Sequence, residues 1–157
     1  MPLDLDPTDL RLLGLLQADA SRSFQALADA AHTSPATAQR RVRRLEAAGV
    51  IERTVALLSP DALGEGLTAI AEVTLDRQGA EHLDAFEAIV AADEAVQQCW
   101  RVSPGPDLLL VLHCRDMPAW REVQARLFTQ QANVRNLKVF FATKRSKFEP
   151  RLALPAR

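Results

Sequence analysis

Tyrosine is absent from the 157 residues, and aromatic residues make up only 5% of them. So few rings cannot supply a row of stacking platforms for single-stranded nucleic acid. Cysteine is nearly as scarce. Cys99 and Cys114 are the only two, neither belongs to a Cys-x-x-Cys pair, and the three histidines are scattered. That excludes a disulfide framework and offers no ligand spacing, so no metal site and no cofactor are expected. No apolar run reaches the length of a membrane-spanning helix, which leaves the membrane out as a partner. Residues 1–20 are acidic rather than basic-then-apolar, so no secretory signal is expected and a reducing cytoplasm fits. Nor is there an excess of charge: the formal net charge is -1. Any affinity for a polyanion must then come from a local patch rather than from the field of the whole molecule.

The rest is ordinary for a globular chain, with 48% hydrophobic and 25% charged residues and room for one large or two small domains. The stretch that stands out is Ser34 to Gly49, SPATAQRRVRRLEAAG. Ser34 can cap a helix, Pro35 suits its first position, and Gly49 suits its stop. Ala38, Val42 and Leu45 recur at spacings of four and three, one apolar stripe of a helix turning about 100° per residue. On that wheel Arg40 and Arg44 fall opposite Val42, near Ala36 and Thr37, while Gln39, Arg41 and Arg43 lie on the flanks. A solvated charged face is one reading of such a helix and a nucleic-acid footprint the other. The all-arginine composition favours the second, because arginine makes bidentate contacts to phosphate and guanine.

Two helices precede this one. Asp6 and Pro7 open the first, which runs to about Ala18 on Leu10, Leu13 and Leu16, reinforced by Leu12 and Leu15. Ser23 caps the second, Phe24 to Ala31, and His32-Thr33 is a short turn before Ser34. Two short helices joined by a tight turn, the second basic, make a helix-turn-helix, with residues 7–18 as a brace. Val50-Ile51 and Val55 to Leu58 then predict a short strand or wing, and Ser59 to Gly66 a linker.

From Leu67 the order is strand, helix, strand, strand, helix, strand. Leu67 to Leu75 alternate; Leu83, Phe86, Ile89 and Val90 form a helix face; Val96 to Val102 alternate again. Ser103-Pro104-Gly105-Pro106 is a turn, and Leu108 to Leu112 an apolar run that suits a strand covered on both faces. Asp116 caps a helix whose Trp120, Val123 and Leu127 point inward. Leu137, Val139 and Phe141 mark the fourth strand, and Phe148 to Leu154 predict a short edge strand. This βαββαβ order is the ferredoxin-like plan. The fold class is therefore α+β: a winged helix-turn-helix domain over 1–53, a strand or linker over 54–66, and a ferredoxin-like domain over 67–157. Helices cover one face of such a sheet. Because 108–112 is apolar on both faces and Phe140 and Phe141 point to opposite sides, the second face calls for another copy of the chain, a homodimer.

Over nearly its full length the chain resembles the Lrp/AsnC (feast/famine) family of bacterial and archaeal transcription regulators. The residues that carry the likeness are Leu5-Asp6 and Asp9, Leu27-Ala28, Ser34-Pro35, Arg40-Arg41-Val42, Arg44-Leu45-Glu46 and Gly49-Val50-Ile51. In the second half they are Val102-Ser103, Gly105, Asp107 and Asp116-Met117. The resemblance implies double-stranded DNA as partner, dimers that assemble into tetramers or octamers, and an amino-acid effector held by the C-terminal, RAM or ACT-like, domain. Effector-binding members carry a Gly-x-x-Asp loop, often followed by an aromatic, between the second and third strands. Here Pro104 and Pro106 each remove an N–H donor and Leu108 stands in the aromatic's place. The family's Leu-Pro-Gly before the last strand is replaced by Gln131-Ala132-Asn133. The candidate effector residues are Ser103, Gly105, Asp107, Leu108, Gln131 and Asn133; a tight hairpin is the other reading of that loop.

For DNA, Thr37 and Arg40 near the N-terminal end of the third helix are the candidates for base edges. Arg41, Arg43 and Arg44, with Gln39 and Ser23, are the candidates for phosphates, and Ser34 is a further DNA-binding candidate. No catalytic residue is expected. Two alternatives stay open: an enzyme resembling siroheme decarboxylases, which share the two-domain plan, with His113 and Arg115 near Cys99-Trp100-Arg101; and a DNA-architectural protein whose dimers form larger discs without an effector.

Overall fold

Three short polar side chains open three helices. In the computed structural model, which describes residues 3–64, 66–131 and 133–155, the Asp6 carboxylate accepts from the Asp9 N–H at 2.9 Å and Asp9 accepts from the Asp6 N–H at 3.1 Å. This reciprocal cap starts α1 (Pro7–Ala18). Ser23 accepts from the Ala26 N–H at 3.2 Å and starts α2 (Phe24–Ala31). Ser34 accepts from the Thr37 N–H at 3.2 Å and starts α3 (Pro35–Ala47). The turn after α3 takes Gly49 to a φ of 70°, a conformation that glycine adopts without a Cβ penalty. There the Val50 N–H donates to the Leu45 carbonyl at 2.9 Å. Leu12, Leu27, Ala28, Ala31 and Ala38 form the buried centre of the three helices. Alanine at 28, 31 and 38 lets α2 and α3 approach closely, which is what a helix-turn-helix requires.

The chain divides into two compact units, Met1–Leu57 with Lys147–Arg157, and Leu58–Ser146. Two expectations fail at their margins. The wing expected after α3 does not form: residues 52–59 carry no strand, and Val55, Leu57 and Leu58 are exposed. Their β-propensity is real, but a strand needs a ladder partner, and among the described residues none is offered. In the expected linker, Ser59 caps a single turn, α4 (Pro60–Leu63); Glu65 lies outside the described residues. The edge strand expected over Phe148–Leu154 is also missing. That segment is irregular and lies on α1, where Gln17 Oε1 accepts from the Leu152 N–H at 2.7 Å and Gln17 Nε2 donates to the Leu152 carbonyl at 3.2 Å. The side-chain amide supplies the donor and acceptor that a strand partner would have supplied.

The second unit is built from β1 (Leu67–Leu75), α5 (Ala80–Ala91), β2 (Val96–Arg101), β3 (Leu108–Cys114), α6 (Met117–Gln124) and β4 (Val134–Phe141). A π-helical turn, Ala125–Thr129, prolongs α6. The sheet order is β2-β3-β1-β4 and every pair is antiparallel, the ferredoxin-like topology. Alternation decides which side of the sheet the helices cover. Ala69, Ala71, Val73 and Leu75 of β1 and Leu108, Leu110, Leu112 and Cys114 of β3 are buried against Phe86, Val90, Trp120, Val123, Leu127 and Phe128. Trp120 meets Phe141 edge-on, with ring centroids 5.6 Å apart. On the other side Ile70 pairs with Val111 and Phe140, and Trp100 with Leu109. Ile70, Trp100 and Phe140 stand exposed there. Among the described residues no helix is long and apolar enough to cross a membrane.

Candidate nucleic-acid interface

The buried stripe of α3 is Ala38, Val42 and Leu45. Its opposite arc turns Ala36, Arg40, Arg43 and Arg44 outward as exposed side chains, with Thr37 half-buried at their N-terminal end. The four arginines of this helix are not equivalent. Arg40 and Arg43 form no ion pair among the described residues. Arg41 is drawn to the first helix, where its Nη1 donates to Asp6 Oδ2 at 2.5 Å and to Asp9 Oδ1 at 2.9 Å. Arg44 Nη2 donates to the other oxygen of Asp9. Asp9 is completely buried, so the two guanidinium groups are what keeps its charge inside the unit. The Asp6 carboxyl lies below its ordinary range, first because it accepts from the Asp9 N–H and then because Arg41 sits on it. The Arg41 guanidinium is raised by the same two carboxylates.

The two candidate serines are occupied locally. Ser23 caps α2; Ser34 caps α3 and also donates its hydroxyl to Thr37 Oγ1 at 2.8 Å.

In the second unit Asp107 fastens its loop to the end of β1. Its Oδ2 accepts from the Leu75 N–H at 2.7 Å and from Gln78 Nε2 at 3.1 Å, and its own N–H donates to the Val73 carbonyl at 2.9 Å. Gly105 takes a φ of 119°, which a side chain would oppose. Asn133 holds the residues after β1: its Oδ1 accepts from the Arg77 N–H at 2.9 Å and its Nδ2 donates to the Arg77 carbonyl at 3.2 Å. A shallow cavity of about 310 Å³ opens beside it, lined by Asp76, Arg77, His82 and Asn133. A second cleft, of about 320 Å³, is lined by His113, Cys114 and Arg115 together with residues of α6 and its π-helical turn.

Residues 5–46 match the AsnC-type helix-turn-helix domain, and residues 68–152 match the Lrp/AsnC ligand binding domain. The chain belongs to the Lrp/AsnC family of DNA-binding transcriptional regulators. An uncharacterised HTH-type transcriptional regulator of Haemophilus influenzae is 31% identical to it over 150 residues, 96% of this chain and 89% of that one. The leucine-responsive regulatory protein of Escherichia coli K12 is 32% identical over 154 residues, 98% of this chain and 94% of that one. A transcriptional regulator from Neisseria meningitidis, solved as a complex with L-Met, superimposes with a TM-score of 0.85 at 28% identity, covering 96% of this chain and 97% of that one.

On this Lrp/AsnC framework the candidate residues sort unevenly. Thr37, Arg40, Arg43 and the half-buried Gln39 remain together on α3. Arg41 and Arg44 stand apart from them: in this structure both are paired with carboxylates of the same unit, Arg41 with Asp6 and Asp9 and Arg44 with Asp9. Leu108 lies apart from the other effector candidates. It is 0% exposed and packs in the sheet core. Of the six candidate effector residues only Asn133 lines the first cavity. Ser103 and Gly105 are exposed, and Gln131 donates to the Arg126 carbonyl at 3.2 Å. The grouping of His113 and Arg115 with Cys99, Trp100 and Arg101 is not assembled. Arg101 is clamped by Asp84 and Glu87 of α5, and none of the three lines the cleft that holds His113. The residues missed are Asp6 and Asp9 as partners of the arginines, Asp76, Arg77 and His82 beside Asn133, and Gln78 as a donor to Asp107. The one available signal was the pair of carboxylates three residues apart opening α1, which can serve a cap and a cation together.

Proposed function

We propose that the protein reads duplex DNA with α3 as a two-fold dimer and that an amino acid modulates it through the second unit. The observation that carries the DNA reading is the outer arc of α3, where Arg40 and Arg43 project without a carboxylate partner while the apolar stripe behind them is buried. In the major groove the N-terminal part of such a helix meets base edges, so Arg40 and Thr37 read sequence and Arg43 contacts phosphate. The sheet face on which Ile70, Trp100 and Phe140 stand exposed, beside the Glu72–Lys138 ion pair, supports pairing with a second copy, which would exclude water from the apolar side chains. Two-fold pairing gives a near-palindromic site with half-sites about one helical turn, or a multiple of it, apart.

For the effector, support comes from the cavity beside Asn133, where Asp76 and Arg77 bring opposite charges that suit a zwitterion, and from the relative solved with L-Met. We read the protein as a regulator rather than an enzyme, acting in the cytoplasm beside the chromosome.

The test compares two variants on duplexes selected from a random pool. Arg40→Ala should lose about 1–3 kcal/mol at one base pair and relax preference there. Arg43→Ala should weaken binding to all sequences alike and lower the salt slope by about one unit. Parent-like binding by both variants defeats the reading. Repeating the selection with and without amino acids scores the effector.

A further inference from the structure

Two of the four arginines on α3 are neutralised from within. Arg41 and Arg44 share the fully buried Asp9, and Arg41 also reaches Asp6. The Arg41 Nε is itself buried without a partner, so this guanidinium is positioned for the two carboxylates at the expense of one of its own donors. Arg44 differs: its side chain is 42% exposed and lies on the outer arc beside Arg40. Across residues 1–57 the balance is complete, with seven arginines, no lysine and seven carboxylates.

That balance bears on how tightly arbitrary DNA is held. Each phosphate neutralised by a cation releases counterions, and log K falls with log salt at about 0.9 per contact. These contacts carry no sequence information. A carboxylate presents arginine with the same bidentate acceptor geometry as a phosphate. Four free guanidiniums on each α3 would therefore hold a dimer on any duplex.

We infer that Asp6 and Asp9 act as internal stand-ins for DNA phosphate, holding Arg41 and Arg44 off the backbone so that sequence-blind affinity stays low and discrimination stays with Arg40 and Thr37. Asp9 is a positioning residue in this scheme, since it binds both arginines and joins α1 to α3. The inference rests on the reading that α3 enters the duplex.

Asp6→Asn is the variant to test first. Asparagine caps a helix as well as aspartate does, so α1 keeps its start while one of the two carboxylate charges goes. The full chain is titrated with a random-sequence duplex and with its selected site across a salt series. Asp6→Asn should steepen the salt slope on random DNA by about one unit per subunit engaged, raise random-sequence affinity several-fold, and narrow the ratio between the selected site and random DNA. Adding Arg41→Gln to Asp6→Asn should return the slope to the parent's, and Arg41→Gln alone should leave it unchanged. A parent-like or shallower slope in Asp6→Asn overturns the inference, as does a drop of about one unit in Arg41→Gln alone, which would put Arg41 on phosphate already. Should Asp6→Asn lose its fold, the single Arg41→Gln measurement decides. If Arg43→Ala lowers the slope but these variants follow the overturning pattern, only this inference fails. If Arg40→Ala and Arg43→Ala both bind like the parent, the reading of α3 fails first.

Discussion

Gln17 grips the backbone of Leu152, 135 residues further along, through both ends of its side-chain amide. Leu154 lies alongside Gly14, one turn earlier on α1. The C-terminal segment is thus part of the helix-turn-helix unit. Gln17→Ala removes an exposed donor and acceptor pair, each worth about 0.5–1.5 kcal/mol net. The unit should lose about 1 kcal/mol in denaturant unfolding, and the Leu152 amide should lose its hydrogen-exchange protection while amides inside α3 keep theirs. A chain ending at Ser146 should reproduce that loss.

Acid should weaken both units, and the sign follows from the carboxylates. Asp6 is held below its ordinary range, first by the Asp9 N–H and then by Arg41; Asp93 is held down first by Arg126, whose Nε donates to it at 2.6 Å. A carboxyl whose folded value is depressed stabilises fully above its unfolded value of about 3.9 and loses that contribution as pH falls through the folded value. The denaturation midpoint should therefore be flat between about pH 7 and 5 and fall below about pH 4. Asp93→Asn should lower the neutral midpoint and flatten the acid decline.

Leu108 separates a packing role from a binding one. It is fully buried on the helix side of β3, opposite Val73 and Arg101 in the ladders. Leu108→Ala should cost about 2–5 kcal/mol of stability through the cavity it leaves. Any change in amino-acid response should then be recovered by a stabilising solute rather than by more ligand.

The exposed sheet face makes a prediction about assembly. Trp100→Glu places a charge where a second copy is proposed to pack, yet the side chain it replaces is solvent-exposed. Sedimentation at micromolar protein should shift from dimer to monomer, with the melting of the isolated fold changed by no more than about 0.5 kcal/mol. A parent dimer that persists in Trp100→Glu would move the interface elsewhere.

Much of the fold was written locally. Asp6, Ser23, Ser34 and Asp116 open helices where their spacing predicts, because an N-cap needs only its own side chain and an N–H three residues on. Three of the four strands follow from alternation for a similar reason, since period two assigns side chains to faces before any partner is known, while β3 follows from its apolar run; the register shift between Val96 and Gln98 in β2 appears only once β3 is alongside. Two local signals misled. Val55, Leu57 and Leu58 have strand-forming side chains without a strand to pair with, and Phe148 to Leu154 found an amide on α1 in place of a sheet edge.

The arginine row shows where local reasoning stops. The sequence by itself determines that α3 is amphipathic and that its outer arc is cationic, because both depend only on about 100° of rotation per residue. Which of those cations remain free was decided by tertiary structure. Asp9 lies 32 residues before Arg41, and only the packing of α1 on α3 brings them within 2.9 Å. Once Asp9 is buried, desolvation demands an opposite charge at its side, and that demand draws Arg41 and Arg44 toward α1 while Arg40 and Arg43 stay in water.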